Sequence, residues 1–159
     1  MIQGARYVHT NLIARDWRAL ADFYMRVFGC TPVPPERNYA GAALEAGTAV
    51  PAASLQGVHL RLPGYDNLPD SPAPTLEIYH YSRLAEGPAP QVNRPGFGHI
   101  AFDVASVGAA RAEVLAAGGS AVGEIVTLTT TTGANVNWCY VTDPEGNILE
   151  LQSWGQPDA

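Results

Sequence analysis

Apolar residues recur at two different spacings along the chain, and the two spacings follow each other in the same order twice. In the first half, His9–Ala14 alternates between polar and apolar positions, which is typical of a β-strand with one buried face. The apolar residues that follow have the i, i+3, i+4 spacing of an amphipathic helix: Leu20, Phe23, Tyr24, Val27 and Phe28. Asp16 precedes this helix as an N-cap, and Gly29 follows it as a helix-ending residue.

The second half of the chain repeats this pattern. His99–Val104 is the matching strand, and Ser106 is the matching N-cap. The helix that follows again has apolar residues at helical spacing: Val107, Ala110, Val114 and Leu115. Gly118 and Gly119 end it. The same number of residues separates the strand histidine from the glycine in both halves, so we interpret the halves as an internal repeat.

Each half also closes on a strand in which a glutamate lies between two aliphatic residues. Thr75–Tyr81 contains the triplet Leu-Glu-Ile, and Asn147–Gln152 contains Leu-Glu-Leu. Gly57–Leu62 and Val136–Thr142 are predicted to be the strands that precede them. Together with one further strand in each half, the pattern predicts the order β-α-β-β-β twice.

The predicted fold class is therefore α+β, with two tandem βαβββ modules in one domain that covers residues 1–159. We expect module 1 at about 5–83, a Pro-, Gly- and Ala-rich linker at about 84–95, and module 2 at about 96–155. The second strands are expected near Tyr39–Leu44 and Gly123–Leu128. Loop segments account for the greater length of module 1: Thr31–Pro35, Gly41–Ala53 and Pro63–Pro74.

Composition narrows the function classes. Nine basic residues against fifteen acidic ones give a net charge of -6, which argues against nucleic acid or an anionic membrane surface as a partner. No apolar run approaches the roughly 18–20 residues of a membrane span. Cys30 and Cys139 lie far apart in sequence, as expected of reduced thiols in a cytoplasmic protein. A small molecule is the expected partner.

Four ionisable residues occupy equivalent positions in the two modules. His9 and His99 lie on the first strands, and Glu77 and Glu150 lie on the last strands, all within apolar runs. A charged group in such a run is costly unless it is paired or bound to a metal. Two His and two Glu form a mixed nitrogen and oxygen ligand set for a divalent ion such as Ni, Co, Zn, Mn or Fe. The repeat thus predicts a metal site with positions left for substrate.

The chain resembles the vicinal oxygen chelate superfamily, which includes glyoxalase I, methylmalonyl-CoA epimerase, extradiol dioxygenases and bleomycin-binding proteins. The resemblance rests on the duplicated plan and on three stretches: His9 to Asp16, Gly98-His99-Ile-Ala-Phe, and Asp143-Pro-Glu-Gly-Asn-Ile-Leu-Glu150. It implies that the modules form a curved half-barrel around a central metal cleft, with His9, Glu77, His99 and Glu150 as ligands. It also implies a homodimer.

An acidic residue at the Glu77 position resembles bacterial glyoxalase I. The implied activity is that of a metal-dependent lyase or isomerase, in which a metal-stabilised enediolate forms and a carboxylate, Glu150 or Glu77, transfers the proton. Glu150 is our expected base. Glyoxalase I carries an arginine where Ile13 stands here, which argues against glutathione as the co-substrate.

The resemblance leaves two alternatives open. An Fe(II) extradiol dioxygenase would use His9, His99 and Glu150 and leave Glu77 outside the ligand set. A non-catalytic small-molecule-binding or resistance protein of the same fold would need no metal. The substrate, the native metal, and whether the modules pair within one chain or across a dimer also stay open.

Further residues are candidates for the substrate cleft because period-two alternation places them near the ligands. Tyr7 lies two positions before His9, and Asn11 lies two positions after it. Tyr79 and Gln152 lie two positions after Glu77 and Glu150, respectively. His59 and Arg61 share one face of their strand. His80 is expected on the opposite face from Glu77, and Trp138 is expected to be a core or interface aromatic.

Overall fold

The computed structural model describes residues 2–65 and 73–155, which form two α+β units, Met1–Glu86 and Gly87–Ala159. Within the described residues there are three helices and two sheets, one sheet in each unit. The predicted α+β class is confirmed. No helix in the described ranges is both long enough and apolar enough to cross a membrane.

The first unit contains a four-stranded sheet with two helices. Its elements are β1 (His9–Ile13), α1 (Trp17–Phe28), β2 (Thr31–Ala40), α2 (Ala42–Thr48), β3 (Ser54–Arg61) and β4 (Thr75–Tyr81). The strand order is β1-β4-β3-β2. β1 runs parallel to β4, whereas β3 is antiparallel to both β4 and β2. The first strand of the unit therefore lies directly beside its last one.

The first helix begins and ends where its capping residues predict. The Asp16 carboxylate accepts hydrogen bonds from the backbone N–H groups of Arg18 and Ala19, and Gly29 ends the helix with φ 70°. The apolar stripe of α1 packs toward the sheet, where its buried residues join a core that includes Leu60 and Ile78. This packing occupies one face of the sheet and leaves the other face for polar side chains.

The second unit repeats the plan with shorter strands. Its elements are β5 (Ile100–Asp103), α3 (Val107–Ala116), β6 (Ser120–Ala121), β7 (Val126–Thr129), β8 (Asn135–Thr142) and β9 (Ile148–Trp154). The strand order is β5-β9-β8-β6, and β7 also pairs with β8. Ser106 caps α3 through Ala109 N–H. As in the first unit, the first strand runs parallel to the last.

The turn between β8 and β9 is held by a buried aspartate. Asp143 is 1% exposed, and its Oδ1 accepts hydrogen bonds from the backbone N–H groups of Glu145 and Asn147. Its Oδ2 accepts a third hydrogen bond from the Asn147 side chain at 2.8 Å. The turn fixes the β8–β9 register, which places Tyr140 opposite Glu150.

Two predicted strands differ from the structure. The strand expected at Tyr39–Leu44 overlaps only the end of β2, which spans Thr31–Ala40. The rest of the expected strand falls in α2, which begins at Ala42. Thr31–Pro35, expected as a loop, belongs to β2 because an edge strand tolerates proline, and the β2–β3 register shifts between Val33 and Arg37. The strand expected at Gly123–Leu128 corresponds to β7, which begins three residues later, at Val126, and ends one residue later, at Thr129. Of the predicted insertion Pro63–Pro74, residues 66–72 lie outside the described residues.

Candidate functional site

In the first unit, the structure brings His9 and Glu77 into contact. β1 and β4 are parallel neighbours, and Asn11 is the register partner of Glu77. Nε2 of His9 lies 3.3 Å from Oε2 of Glu77, and the Asn11 amide donates to the same oxygen at 3.3 Å. Glu77 is buried, with 9% of its surface exposed. Both partners lie on the sheet face opposite α1, where period-two alternation predicts them.

The second oxygen of Glu77 has different partners. His59 is the β3 register partner of Glu77, and its Nε2 lies 2.9 Å from Oε1. The Tyr79 hydroxyl donates to Oε1 at 3.4 Å and lies 2.7 Å from Nε2 of His59. An ionised carboxylate can only accept hydrogen bonds. The proton of His59 is therefore assigned to Nε2.

Burial and charge shift the titration of this cluster. Burial lowers the pKa of His59, while the negative charge of Glu77 acts in the opposite direction. Burial, followed by the charge of Glu77, raises the pKa of Tyr79 to about 12. The Tyr79 hydroxyl consequently keeps its proton at neutral pH and remains a hydrogen-bond donor.

The second unit holds the matching pair. Nε2 of His99 lies 3.4 Å from Oε2 of Glu150. Tyr140, the β8 register partner of Glu150, is hydrogen-bonded to that carboxylate, and its ring centroid lies 5.1 Å from that of His99. Burial, followed by the charge of Glu150, raises the pKa of Tyr140. Tyr140 thus occupies the position that His59 has in the first unit.

A cavity of about 270 Å³ opens beside Glu150 in the second unit. Its lining is formed by β7, β8 and β9: Leu128, Val136, Trp138, Tyr140, Glu150, Gln152 and Trp154. Glu150 is the one charged side chain among these residues. Trp138 was expected in a core or interface, but it lines this cavity, and the described residues give its buried Nε1 no hydrogen-bond partner. Its alternation with Tyr140 was the signal that could have placed it here.

The other predicted cleft residues have separate positions. Gln152 lines the cavity with Glu150. The Tyr7 hydroxyl is hydrogen-bonded to the Thr10 side chain, and Arg61 is exposed at the end of β3. His80 lies on the opposite face from Glu77, as predicted, with Nδ1 3.0 Å from the carbonyl oxygen of Ala14.

Two other side chains add an apolar group and a positive charge near the polar residues of the first unit. Ile13 is 45% exposed on the same side of β1 as His9, so an apolar side chain lies near the pair. Arg37 on β2 contributes positive charge near His59 and was not among the residues predicted from the sequence. It was missed because its segment was not expected to form a strand.

The His–Glu pairs fit the requirements of a divalent metal ion. Ligand bonds of roughly 2.0–2.2 Å from one ion put a His nitrogen and a carboxylate oxygen about 3.0–3.5 Å apart. The distances of 3.3 Å for His9–Glu77 and 3.4 Å for His99–Glu150 agree with this. Within each unit, the described residues hold no group of three or more His, Cys, Asp or Glu arranged to bind an ion. In each unit, one first-strand histidine and one last-strand glutamate thus lie at a separation that a shared ion would allow.

The comparison with protein families decides the identity of the fold. The model of the Glyoxalase/Bleomycin resistance protein/Dioxygenase superfamily matches residues 6–151. The chain belongs to this superfamily. No match was found among curated proteins. The superfamily includes lyases and dioxygenases as well as binding proteins, so membership alone does not select a reaction.

Solved structures support the same fold at low sequence identity. A glyoxalase family protein from Bacillus cereus has a TM-score of 0.73 and 16% identity, covering 98% of this chain and 97% of that chain. A virulence protein from Salmonella typhimurium has a TM-score of 0.54 and 22% identity, covering 98% and 100%. A lactoylglutathione lyase from Agrobacterium tumefaciens has a TM-score of 0.50 and 21% identity, covering 96% of both chains.

Proposed function

We propose that the protein is a metal-dependent lyase or isomerase of the glyoxalase I or epimerase type. The observation that carries the proposal is the repeated contact between a first-strand histidine and a last-strand glutamate, at 3.3 Å in one unit and 3.4 Å in the other. His9, Glu77, His99 and Glu150 are the proposed ligands of a divalent ion, in a homodimer. A lyase of this superfamily, the lactoylglutathione lyase from Agrobacterium tumefaciens, shares the fold.

The ion supplies Lewis-acid stabilisation of negative charge on a substrate oxygen when it is bound. The proton transfer is carried out by a side chain of the protein. Glu150 accepts a proton from a carbon next to a carbonyl group and returns it to the neighbouring carbon, so the substrate is isomerised without net gain or loss of atoms. Proton transfer by a positioned carboxylate typically contributes about 10²–10⁴-fold to a rate.

The surroundings of Glu150 favour this role. Apolar and aromatic side chains surround it in the cavity, and such walls exclude water from a carboxylate that exchanges protons. Gln152 is a polar neighbour that can orient a substrate oxygen. The cavity suits a small oxygenated substrate with an apolar or planar group, and Ile13 replaces the arginine that a glutathione carboxylate would need.

Metal analysis of the purified protein tests the proposal, with no chelator and no metal-affinity step. We expect near-stoichiometric metal in the wild type and much less in both Glu77→Ala and His99→Ala. His80→Ala is the matched control, because this histidine lies on the opposite face and should leave the metal content unchanged.

The other outcomes separate the alternatives. Metal loss in His99→Ala but not in Glu77→Ala would remove Glu77 from the ligand set and favour the Fe(II) dioxygenase, which consumes O₂. A wild-type protein that refuses Ni(II), Co(II), Zn(II) and Fe(II) would contradict the proposed enzyme and leave a binding protein. A supported site justifies screening 2-oxo thiohemiacetals and acyl-CoA epimers for turnover.

A further inference from the structure

The two oxygens of Glu77 have different sets of partners. Oε2 faces His9 and Asn11, each at 3.3 Å. Oε1 faces His59 at 2.9 Å and Tyr79 at 3.4 Å, and these two side chains are themselves 2.7 Å apart. One oxygen is thus turned toward a proposed ligand, and the other is held by a separate hydrogen-bonded pair.

We propose that His59 and Tyr79 are positioning residues that hold Glu77 through Oε1 and so keep Oε2 turned toward His9. This inference rests on the proposed function, because it concerns Glu77 as a metal ligand. It gives a specific role to two residues that the sequence predicts only as candidates for the substrate cleft. We call the two residues the Glu77 clamp.

The hydrogen bonds of the Glu77 clamp have one consistent direction. The carboxylate has no proton to give, so the Tyr79 O–H donates to Oε1. With that proton used, Nε2–H of His59 donates to the Tyr79 oxygen, while Nε2 also lies 2.9 Å from Oε1. The Tyr79 oxygen keeps lone pairs that can accept a share of the Nε2–H bond. Hydrogen bonds of this kind orient a ligating carboxylate and commonly change metal affinity by about 10–100-fold when they are removed.

The backbone supports the Glu77 clamp. His59 and Glu77 are direct register partners on β3 and β4, and Gly57 is the partner of Tyr79. The Tyr79 ring lies against Gly57, where a Cβ would overlap it. The missing side chain therefore gives the ring the space it needs to bring its hydroxyl to Oε1.

The second unit differs at the equivalent positions. The register partner of Glu150 is Tyr140 in place of a histidine, and the residue two positions after Glu150 is Gln152 in place of a tyrosine. Glu150 therefore lacks a histidine and a tyrosine at the positions that form the Glu77 clamp. This difference fits a division of work in which Glu77 stays a fixed ligand and Glu150 transfers the proton.

Co(II) titration of the full-length chain tests the clamp by the dissociation constant and the visible spectrum. We expect Tyr79→Phe and His59→Leu each to weaken Co(II) binding by about 10–100-fold. His59→Gln, which retains an N–H donor, should restore part of the affinity. Tyr81→Phe and His80→Gln are matched controls on the same strand, and both should bind Co(II) as the wild type does.

A second readout needs no metal. Long-range ¹⁵N NMR of the metal-free protein should show His59 with its proton on Nε2, and an Nδ1–H form would overturn the proposal. In another outcome, the wild type binds Co(II), and His59→Leu and Tyr79→Phe bind it with affinities within about twofold of the wild-type value. That result would overturn the clamp and leave the proposed function standing. A wild type that binds no Co(II) would contradict the proposed function, and the clamp with it.

Discussion

Gly57 on β3 lies directly opposite Tyr79 on β4, and the Tyr79 ring occupies the space that a side chain at Gly57 would fill. A Cβ at this position would also overlap the backbone carbonyl oxygen of Ile78. Backbone cannot move aside as a flexible side-chain end can. A change at Gly57 must therefore shift either the β3–β4 pairing or the Tyr79 ring.

Gly57→Ala should destabilise the protein by about 1–3 kcal/mol, because it overpacks a buried strand position. Urea denaturation followed by far-UV circular dichroism measures the change. Gly47→Ala in α2 is the control, since a Cβ there meets nothing within 4 Å and alanine favours a helix. Equal stability of the two variants would contradict the close contact at Gly57.

The two glutamates should respond differently to removal of their charge. Glu150→Gln should lower turnover per bound metal by about 10²–10⁴-fold, because it removes the proton acceptor. Glu77→Gln should mainly lower the metal content. The measurement is the rate of the substrate found by screening, divided by the metal bound in the same sample. A larger loss per metal in Glu77→Gln would make Glu77 the base.

The elements with local signals were predictable from the sequence. α1 lies between Asp16 and Gly29 because a capping side chain and a left-handed glycine act within a few residues of the helix. β4 was predicted with its observed bounds, Thr75–Tyr81, since its aliphatic residues alternate with Glu77. β2 was not predictable, because its three prolines are accommodated only by its place at the sheet edge.

Part of the candidate site was also predictable from the sequence. The repeat marked His9, Glu77, His99 and Glu150 as equivalent positions, and the parallel pairing of first and last strands brings each pair together. The contact between His59 and Glu77 depends on the β3–β4 register, which an insertion between those strands hides in the sequence. A contact that depends on the pairing of two strands is therefore visible only in the structure.

The Asp143 turn should be sensitive to loss of a single charge. Asp143→Asn would place an amide N–H₂ group against the Asn147 amide that now donates to Oδ2, leaving buried donors without acceptors. The expected cost is about 1–3 kcal/mol in the free energy of unfolding, measured by urea denaturation. Asp103→Asn, at an exposed position of β5, should have little effect. A stability equal to wild type would mean that the turn does not depend on this hydrogen bond.

Trp138 offers a direct probe of the cavity beside Glu150. A small planar carbonyl compound that enters the cavity should quench tryptophan fluorescence, because Trp138 and Trp154 form part of its wall. Trp138→Phe should remove much of the quenching, whereas Trp17→Phe in the first unit should retain it. Quenching that is lost only in Trp17→Phe would place the ligand elsewhere.

Cys30 should make stability depend on alkaline pH. Burial raises the pKa of its thiol to about 11, against an opposing backbone hydrogen bond. The unfolded chain loses this proton near its ordinary pKa of 9.0. The folded state retains the proton until about pH 11. The free energy of unfolding is therefore unaffected by this group below about pH 9 and should fall as the pH rises from there toward 11.

The measurement compares urea denaturation of the wild type and Cys30→Ala at several pH values between about 7.5 and 10.5. The difference in unfolding free energy between the two proteins should shrink or reverse toward alkaline pH, since other titrating groups are common to both. The native wild type should also react slowly with a thiol reagent at pH 8, because Cys30 is 3% exposed and stays protonated. A pH-independent difference, together with fast labelling, would mean that the thiol is accessible and has an ordinary pKa.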